Sequence, residues 1–315
     1  MKYDPATANA AVTQHAAQLL MSKGHLSEAV GAFRAFLERV PDHLQALESL
    51  GNLLRRLGRP AEASEVMAQA AVVESRQHGV PTQDQTAVAD FFAAASGHID
   101  SQTETAPATY VAALFDRNAD RFESLLRDSL EYRAPEILLA AFQRVSVNQE
   151  LSQLDILDLG CGTGLVGELF RPAARRLDGV DLSTKMLELA AAKGIYDHLH
   201  AEEIVAYLRS CEVRYHLILS ADVFIYLGDL APVLMAAKAA LAPGGWLAFS
   251  VETCDGDRYV LQQVRRYAHS RHYIEQQAEL IGYRVALLEE TTTRIESFQP
   301  VRSLVVVLQD VAMDL

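Results

Sequence analysis

Cysteine is scarce in this chain. Cys161, Cys211 and Cys254 are the three cysteines among 315 residues, an odd set without metal-ligand spacing. Neither a disulfide framework nor a metal is expected, and a reducing cytoplasm is the expected compartment. Long apolar runs are also missing, for no stretch approaches the ~20 residues a membrane-crossing helix requires. The opening MKYDPATANAAVTQHAAQLL lacks the basic-then-apolar layout of a secretory signal, so a soluble protein with no membrane partner is expected. Positive charge is in short supply as well. With 28 Lys+Arg against 41 Asp+Glu the formal charge is −13, and a surface of that sign repels phosphate backbones, which argues against nucleic acid as a partner.

What is present is enough apolar material for a packed core, since 50% of the residues are hydrophobic. The length suits two domains or one large one. The first 75 residues repeat themselves: Gly24, Glu28 and Ala29 return 34 residues later as Gly58, Glu62 and Ala63, and Leu19 and Leu20 return as Leu53 and Leu54. Helical apolar spacing surrounds these positions, and Pro41 follows a helix ending near Val40. This segment resembles two tetratricopeptide repeats, in which the small alanines let paired helices approach and the glycines open the turn. Two repeats bury too little face to stand alone, about three being usual. A capping helix in residues 80–97, through Val88, Phe91 and Phe92, would cover the open end; a second protomer in a homodimer or the downstream domain would do the same. The polar run GHIDSQTETAPAT reads as a linker. The expected domains are therefore 1–96, a linker at 97–109, and 110–315.

From 110 two amphipathic helices are expected, with Pro135 near the start of the second. Strand and helix signals then alternate. Strands are expected at 155–159, up to Asp181, near His198, at 215–221 and at 246–252, with helices around 165–171, 184–192, 202–209 and 229–241. Such alternation implies an α/β fold with a doubly wound, largely parallel sheet. A long helix near 257–281 follows, then YRVALLEE and RSLVVVLQ, close enough for an antiparallel hairpin at the sheet edge.

Within ILDLGCGTGLVG, residues 156–167, two glycine patterns overlap. Gly160, Gly162 and Gly164 give G-x-G-x-G, while Gly162, Gly164 and Gly167 give the dinucleotide fingerprint G-x-G-x-x-G. A dinucleotide fingerprint begins directly after the first strand, at Gly160, so the match through Gly167 reads as a coincidence. Asp158, two residues before the first glycine, suits a ligand's ammonium group and would repel a pyrophosphate. Asp181, at the end of the second strand, can accept both ribose hydroxyls of an adenosine, a feature common to NAD and S-adenosylmethionine. Leu182 and Met186 offer apolar contacts to an adenine face, and Glu202 an acceptor for its amino group.

DILDLGCGTG, GVDLS, LILSADVFIYLGDL and LAPGGWLAF together resemble the successive motifs of the class I S-adenosylmethionine-dependent methyltransferases, over about residues 110–309. The resemblance implies S-adenosylmethionine as cofactor and a seven-stranded Rossmann-like sheet with an antiparallel last strand, here preceded by the all-α repeat domain. It implies that Asp158 holds the methionine amino group and that Gly160, Gly162 and Gly164 shape the loop beneath the cofactor. Cys161 lies inside that loop and reads as a small packing residue rather than a nucleophile. Asp181 would bind the ribose, Ala201 and Glu202 would border the adenine, and Ser220, Ala221 and Asp222 would line the methionyl end. Tyr132 and Arg133 are the pair that would close over the cofactor, although here the family pattern is loose.

The acceptor is less plainly written. After the fourth strand stands SADVFIYL, which is neither the Asn/Asp-Pro-Pro-aromatic tetrad of amide and base methyltransferases nor the paired-glutamate loop of protein arginine methyltransferases. A small molecule is the leading acceptor class, with O- or carboxyl-methylation favoured. A base is required only where the acceptor must lose a proton. Candidate residues on the acceptor side are Asp222, Tyr226, His269 and Arg294, with His269 expected to share a helix face with Arg265 and Arg294 to anchor an acidic group. Two other readings stand beside this one: a protein or peptide substrate docked by the repeats, and a module that binds the cofactor without catalysis.

Overall fold

Two pairs of positions in the first segment share their local surroundings, Gly24 with Gly58 and Ala29 with Ala63. In the computed structural model, which describes residues 20, 24–77, 79–97, 103–126, 130–146, 152–296 and 299–311, the chain forms two units, Met1–Thr103 and Glu104–Leu315. The first is helical: α1 (Leu26–Leu37), α2 (Leu44–Arg56), α3 (Pro60–Gln77) and α4 (Gln85–Ala95), each packed on the next. Gly24 and Gly58 both hold positive φ, 82° and 70°, just ahead of α1 and α3. Ala29 and Ala63 are both buried, in one cluster with Phe33, Phe36, Leu50 and Leu54. Ala29, Phe33 and Phe36 follow the i, i+4, i+7 spacing that places an apolar stripe on one helix face. Val88, Phe91 and Phe92 are buried on α4. Leu20 packs against the same cluster as Ala29; Leu19 lies outside the described residues.

The second unit opens with α5 (Ala108–Asn118) and α6 (Ala134–Val145). Next come β1 (Leu154–Leu159), α7 (Leu165–Phe170), β2 (Ala174–Asp181), α8 (Thr184–Ala192), β3 (His198–Ala201), α9 (Ile204–Ser210), β4 (Tyr215–Ser220), α10 (Ala231–Ala240) and β5 (Leu241–Thr253). These five strands lie in the order β3-β2-β1-β4-β5, all parallel. β1 is buried on both faces, as a central parallel strand must be, and carries the two buried carboxyls Asp155 and Asp158 among its leucines and isoleucine. Two apolar clusters fill the two faces of the sheet, one around Leu157, Ile218 and Phe249, the other around Ile156, Leu217 and Trp246. No helix among the described residues is long and apolar enough to cross a membrane.

The end of the chain departs from expectation in one respect. β8 (Tyr283–Glu296) and β9 (Gln299–Asp310) do form an antiparallel hairpin, and β9 joins β5 in antiparallel sense. The long helix expected near 257–281 is instead two short strands, β6 (Tyr259–Leu261) and β7 (Tyr267–His269), followed by α11 (Arg271–Ile281), so the described sheet has nine strands rather than seven. Arg265 takes φ 61° in a tight turn closed by Gln262 N donating to Arg266 O at 2.8 Å, which no helix tolerates. Ser270 then caps α11 by accepting from Tyr273 N. Residues 104–107, at the tail of the expected linker, belong to the second unit: Ala106 N donates to Tyr226 O at 2.8 Å, and Gly228 N and Asp229 N donate to Glu104 O at 2.7 and 3.1 Å.

Candidate active site

The glycine loop turns at the carboxyl end of β1. Gly160, Gly162 and Gly164 have φ of 67°, 54° and 92°, the left-handed region that side chains disfavour. A Cβ at Gly160 would lie 2.2 Å from Val223 Cγ2, so this position has no room for a side chain in either respect. The loop is held by Asp181, whose carboxylate accepts from Gly162 N and from Ser183 N, each at 2.8 Å. Burial raises the pKa of Asp181 in spite of these bonds. Each of its oxygens keeps a second lone pair, the complement two ribose hydroxyls would need.

Behind the loop stands Asp158, 1% exposed. Its Oδ2 accepts from the Tyr196 hydroxyl at 2.7 Å, while its Oδ1 has no hydrogen-bond partner among the described residues. Burial lifts its pKa to about 7, with the Tyr196 bond pulling the other way. A buried carboxylate with an unmet oxygen is chemically suited to an incoming ammonium. Tyr196 escaped the sequence reading, and it gives Gly167 a packing role that the glycine pattern did not suggest. A Cβ at Gly167 would sit 2.3 Å from the Tyr196 hydroxyl oxygen, so this glycine clears the space in which Tyr196 reaches Asp158. Gly167 thus serves the close packing of its helix on the Tyr196 side chain.

A cavity of about 620 Å³ opens beyond the loop, at the carboxyl ends of β1, β2 and β4. One wall carries Gly160, Cys161, Gly162, Asp181, Leu182 and Ala221; the other is apolar and comes largely from residues 104–132, with Val111, Leu114, Phe115, Phe122 and Tyr132. Phe115 meets both Phe122 and Tyr226 edge-to-face at 5.8 Å. Ser183 ties α5 to this rim, its hydroxyl donating to Asp116 Oδ1 at 2.5 Å. Several expected positions fall outside the lining. Met186 is fully buried in the core, because α8 turns that side inward. Ser220 is buried with its hydroxyl on Leu159 O at 3.3 Å. Gly164 shapes the turn without facing the cavity, and Arg133, Ala201 and Glu202 are exposed. The neighbouring Glu203 lines the cavity instead, where its carboxylate caps α9 by accepting from Val205 N and Ala206 N.

On the acceptor side the structure brings together Asp222, Tyr226 and Arg294, with Arg266 added. Asp222 takes φ 55°, a conformation asparagine and aspartate tolerate better than most residues. Ser250 braces it twice, its Oγ accepting from Asp222 N at 2.9 Å and donating to Asp222 Oδ1 at 2.8 Å. Arg294, expected to anchor an acidic ligand, is 5% exposed and already paired: Nη1 donates to Asp222 Oδ2 at 2.6 Å, and Nη2 donates to Glu252. Burial opposes its charge, but Asp222, Glu252 and Glu296 outweigh that and hold it protonated. Arg266 donates from Nε to Glu252 at 2.7 Å and from Nη2 to Glu296 at 2.5 Å. Burial pushes the Tyr226 and Tyr132 hydroxyls up, so both are neutral donors. His269 is not brought to this site. It is fully buried on β7 with Nε2 against Gly228 O at 3.0 Å, and burial lowers its pKa to about 4, so neither the shared helix face with Arg265 nor a place at the cavity exists for it.

The comparisons with known proteins agree with this geometry. A family profile described as a methyltransferase domain matches residues 121–310. A ubiquinone biosynthesis O-methyltransferase of Bordetella pertussis is 29% identical over 168 residues, covering 48% of this chain and 68% of that protein. One from Bordetella avium is 27% identical over 163 residues, covering 46% and 66%. Among solved structures, the Burkholderia thailandensis 1,6-didemethyltoxoflavin-N1-methyltransferase with bound 1,6-didemethyltoxoflavin and S-adenosylhomocysteine aligns with a TM-score of 0.52 at 18% identity, over 68% of this chain and 94% of that one. That last likeness is one of fold.

Proposed function

This chain belongs to the methyltransferase-domain family and takes its methyl group from S-adenosylmethionine, and from that premise we propose that its acceptor is a small apolar molecule methylated on a hydroxyl oxygen. The observation that carries the reading is the acceptor wall: Val111, Leu114, Phe115, Phe122 and Tyr226 enclose an apolar space beside a single braced carboxylate, Asp222. The O-methyltransferases among the relatives support the choice of oxygen.

When bound, S-adenosylmethionine supplies a methyl carbon on a sulfonium, an electrophile that needs no further activation. What remains for the protein is placement and the acceptor's proton. Asp181 would receive the ribose hydroxyls, and Asp158, buried behind the loop, would receive the amino group on its unmet oxygen. The loop of Gly160, Gly162 and Gly164 lets backbone approach the cofactor where a side chain would block it. Asp222, held by Ser250 and Arg294, is the carboxylate placed to take the hydrogen bond of the acceptor hydroxyl and, as the methyl group transfers, its proton. The aromatic wall excludes water and fixes the plane of the acceptor.

In the first unit we read two tetratricopeptide repeats closed by α4, serving dimerisation or substrate gating. The matching burial of Ala29 and Ala63 and the matching turns at Gly24 and Gly58 support this. Light scattering on the full chain tests the dimer. The cofactor reading is tested by calorimetry with S-adenosylhomocysteine. Micromolar binding is expected, weakened by about 1–3 kcal/mol in Asp181→Ala, the scale of hydrogen bonds to a charged, buried group. No binding overturns the cofactor assignment, and unchanged affinity in the variant overturns the role of Asp181.

A further inference from the structure

Two arginines line the cavity, and both are already paired with the protein's own carboxylates. Arg294 and Arg266 are joined to Asp222, Glu252 and Glu296 in one chain: Asp222–Arg294 at 2.6 Å, Arg294–Glu252, Glu252–Arg266 at 2.7 Å and Arg266–Glu296 at 2.5 Å. Three carboxylates against two guanidiniums leave this chain at 2 − 3 = −1. The side chains of Arg294, Glu252 and Asp222 are 6%, 4% and 12% exposed, so water screens them little. The other charged side chains of the lining, Glu104, Asp181, Glu203 and Asp229, are all acidic.

Resting on the reading of a hydroxyl acceptor above, we propose that the chain Asp222–Arg294–Glu252–Arg266–Glu296 is an acceptor filter, which admits a neutral hydroxyl on Asp222 and turns away carboxylates. The attractive half is Asp222. Ser250 and Arg294 occupy one lone pair on each of its oxygens, and a second remains on each for an O–H donor. The repulsive half is the surplus negative charge. A carboxylate placed against the wall meets like charge at low dielectric, and it gains Arg294 only by breaking an existing pair. Positive φ at Asp222 and the double brace from Ser250 fix the carboxylate's direction, so selection does not depend on a mobile side chain. Carboxyl-methylation is thereby disfavoured at this site, although the presence of two arginines in a pocket would suggest the reverse.

The test compares 4-hexylcatechol with 4-hexylbenzoate on the full chain saturated with S-adenosylhomocysteine, by calorimetry near neutral pH. The catechol is expected to bind at least about tenfold more tightly, as like-charge exclusion implies. Glu252→Gln removes one anion and releases an edge of Arg294, and should narrow that ratio by about tenfold with the affinity for S-adenosylhomocysteine unchanged. Glu296→Gln, at the more exposed end of the chain, should narrow it by about threefold and serves if the first variant does not fold. Equal or tighter binding of the benzoate by the wild type overturns the filter, and so does an unchanged ratio in a folded variant. A chain that binds S-adenosylhomocysteine but neither probe overturns the apolar-acceptor reading and the filter with it, whereas a chain that binds no S-adenosylhomocysteine refutes the cofactor assignment instead.

Discussion

Asp158→Asn should stabilise the cofactor-free protein at alkaline pH while weakening its grip on the cofactor. The carboxyl pKa rises from 3.8 to about 7, roughly three units at ~1.4 kcal/mol each. Between those values the folded chain keeps a proton that the unfolded chain has released. Stability from this group is therefore full below pH ~4 and is lost as the pH rises through ~7, by up to about 4 kcal/mol. Asparagine does not titrate, so the variant escapes that loss. It brings a cost of its own, because its amide nitrogen takes a place where Oδ1 has no partner among the described residues, about 1–3 kcal/mol for a buried unmet donor. The net gain at pH ~8 is then about 1–3 kcal/mol, with the variant the less stable of the two near pH ~4. Urea unfolding of both proteins across that range measures the difference, and calorimetry with S-adenosylhomocysteine at each pH measures the ligand. A stability difference that does not change with pH refutes the buried, raised carboxyl. An unchanged ligand affinity refutes its pairing with the ammonium.

Two further outcomes follow from packing and protonation. Gly167→Ala should cost about 1–3 kcal/mol in denaturant unfolding, the usual scale of an overpacked core, because its Cβ would meet the Tyr196 hydroxyl at 2.3 Å; a neutral substitution would mean that Tyr196 swings aside freely. His269, lowered from 6.5 to about 4 by burial, acts on pH in the opposite sense to Asp158. The unfolded chain binds its proton first, so the stability it contributes is present above ~6.5 and lost as the pH falls toward ~4. The margin of wild type over His269→Gln should shrink by up to about 3 kcal/mol across that window, and a constant margin in urea titrations would show that the imidazole is not held neutral.

The sequence made the cofactor half of the site legible because that half is local. Asp181 meets Gly162 across 19 residues, within one strand–helix–strand unit whose glycines, buried strand and terminal carboxylate each carry a known physical reason. The Asp158–Tyr196 bond spans 38 residues and depends on a tyrosine no motif marks. Arg294 reaches Glu252 across 42 residues and Asp222 across 72. Reading Arg294 by itself suggested an anion site, whereas its partners make it part of a saturated wall. VRRYAHSRHYI carries helical charge spacing, but the left-handed turn at Arg265 and the cap at Ser270 divide it, and neither residue type announces that geometry. The same limit hid residues 104–106, whose polar composition reads as a linker while their backbone is bonded to the cavity rim.

That backbone tie bears on the order in which the site is assembled. Thr105 forms an antiparallel bridge with Leu227, so the rim joins segments separated by more than a hundred residues. The entropy of closing a chain loop rises with its length. The cofactor cradle, closed over a few tens of residues, is the less expensive half to form, and it can close on a nascent chain before Arg294 has been synthesised. The acceptor wall has to wait for both the strap ahead of the sheet and the final hairpin behind it. A chain stalled short of β8 would thus hold the pieces of a cradle for the methyl donor, with nothing yet to choose what receives the methyl group.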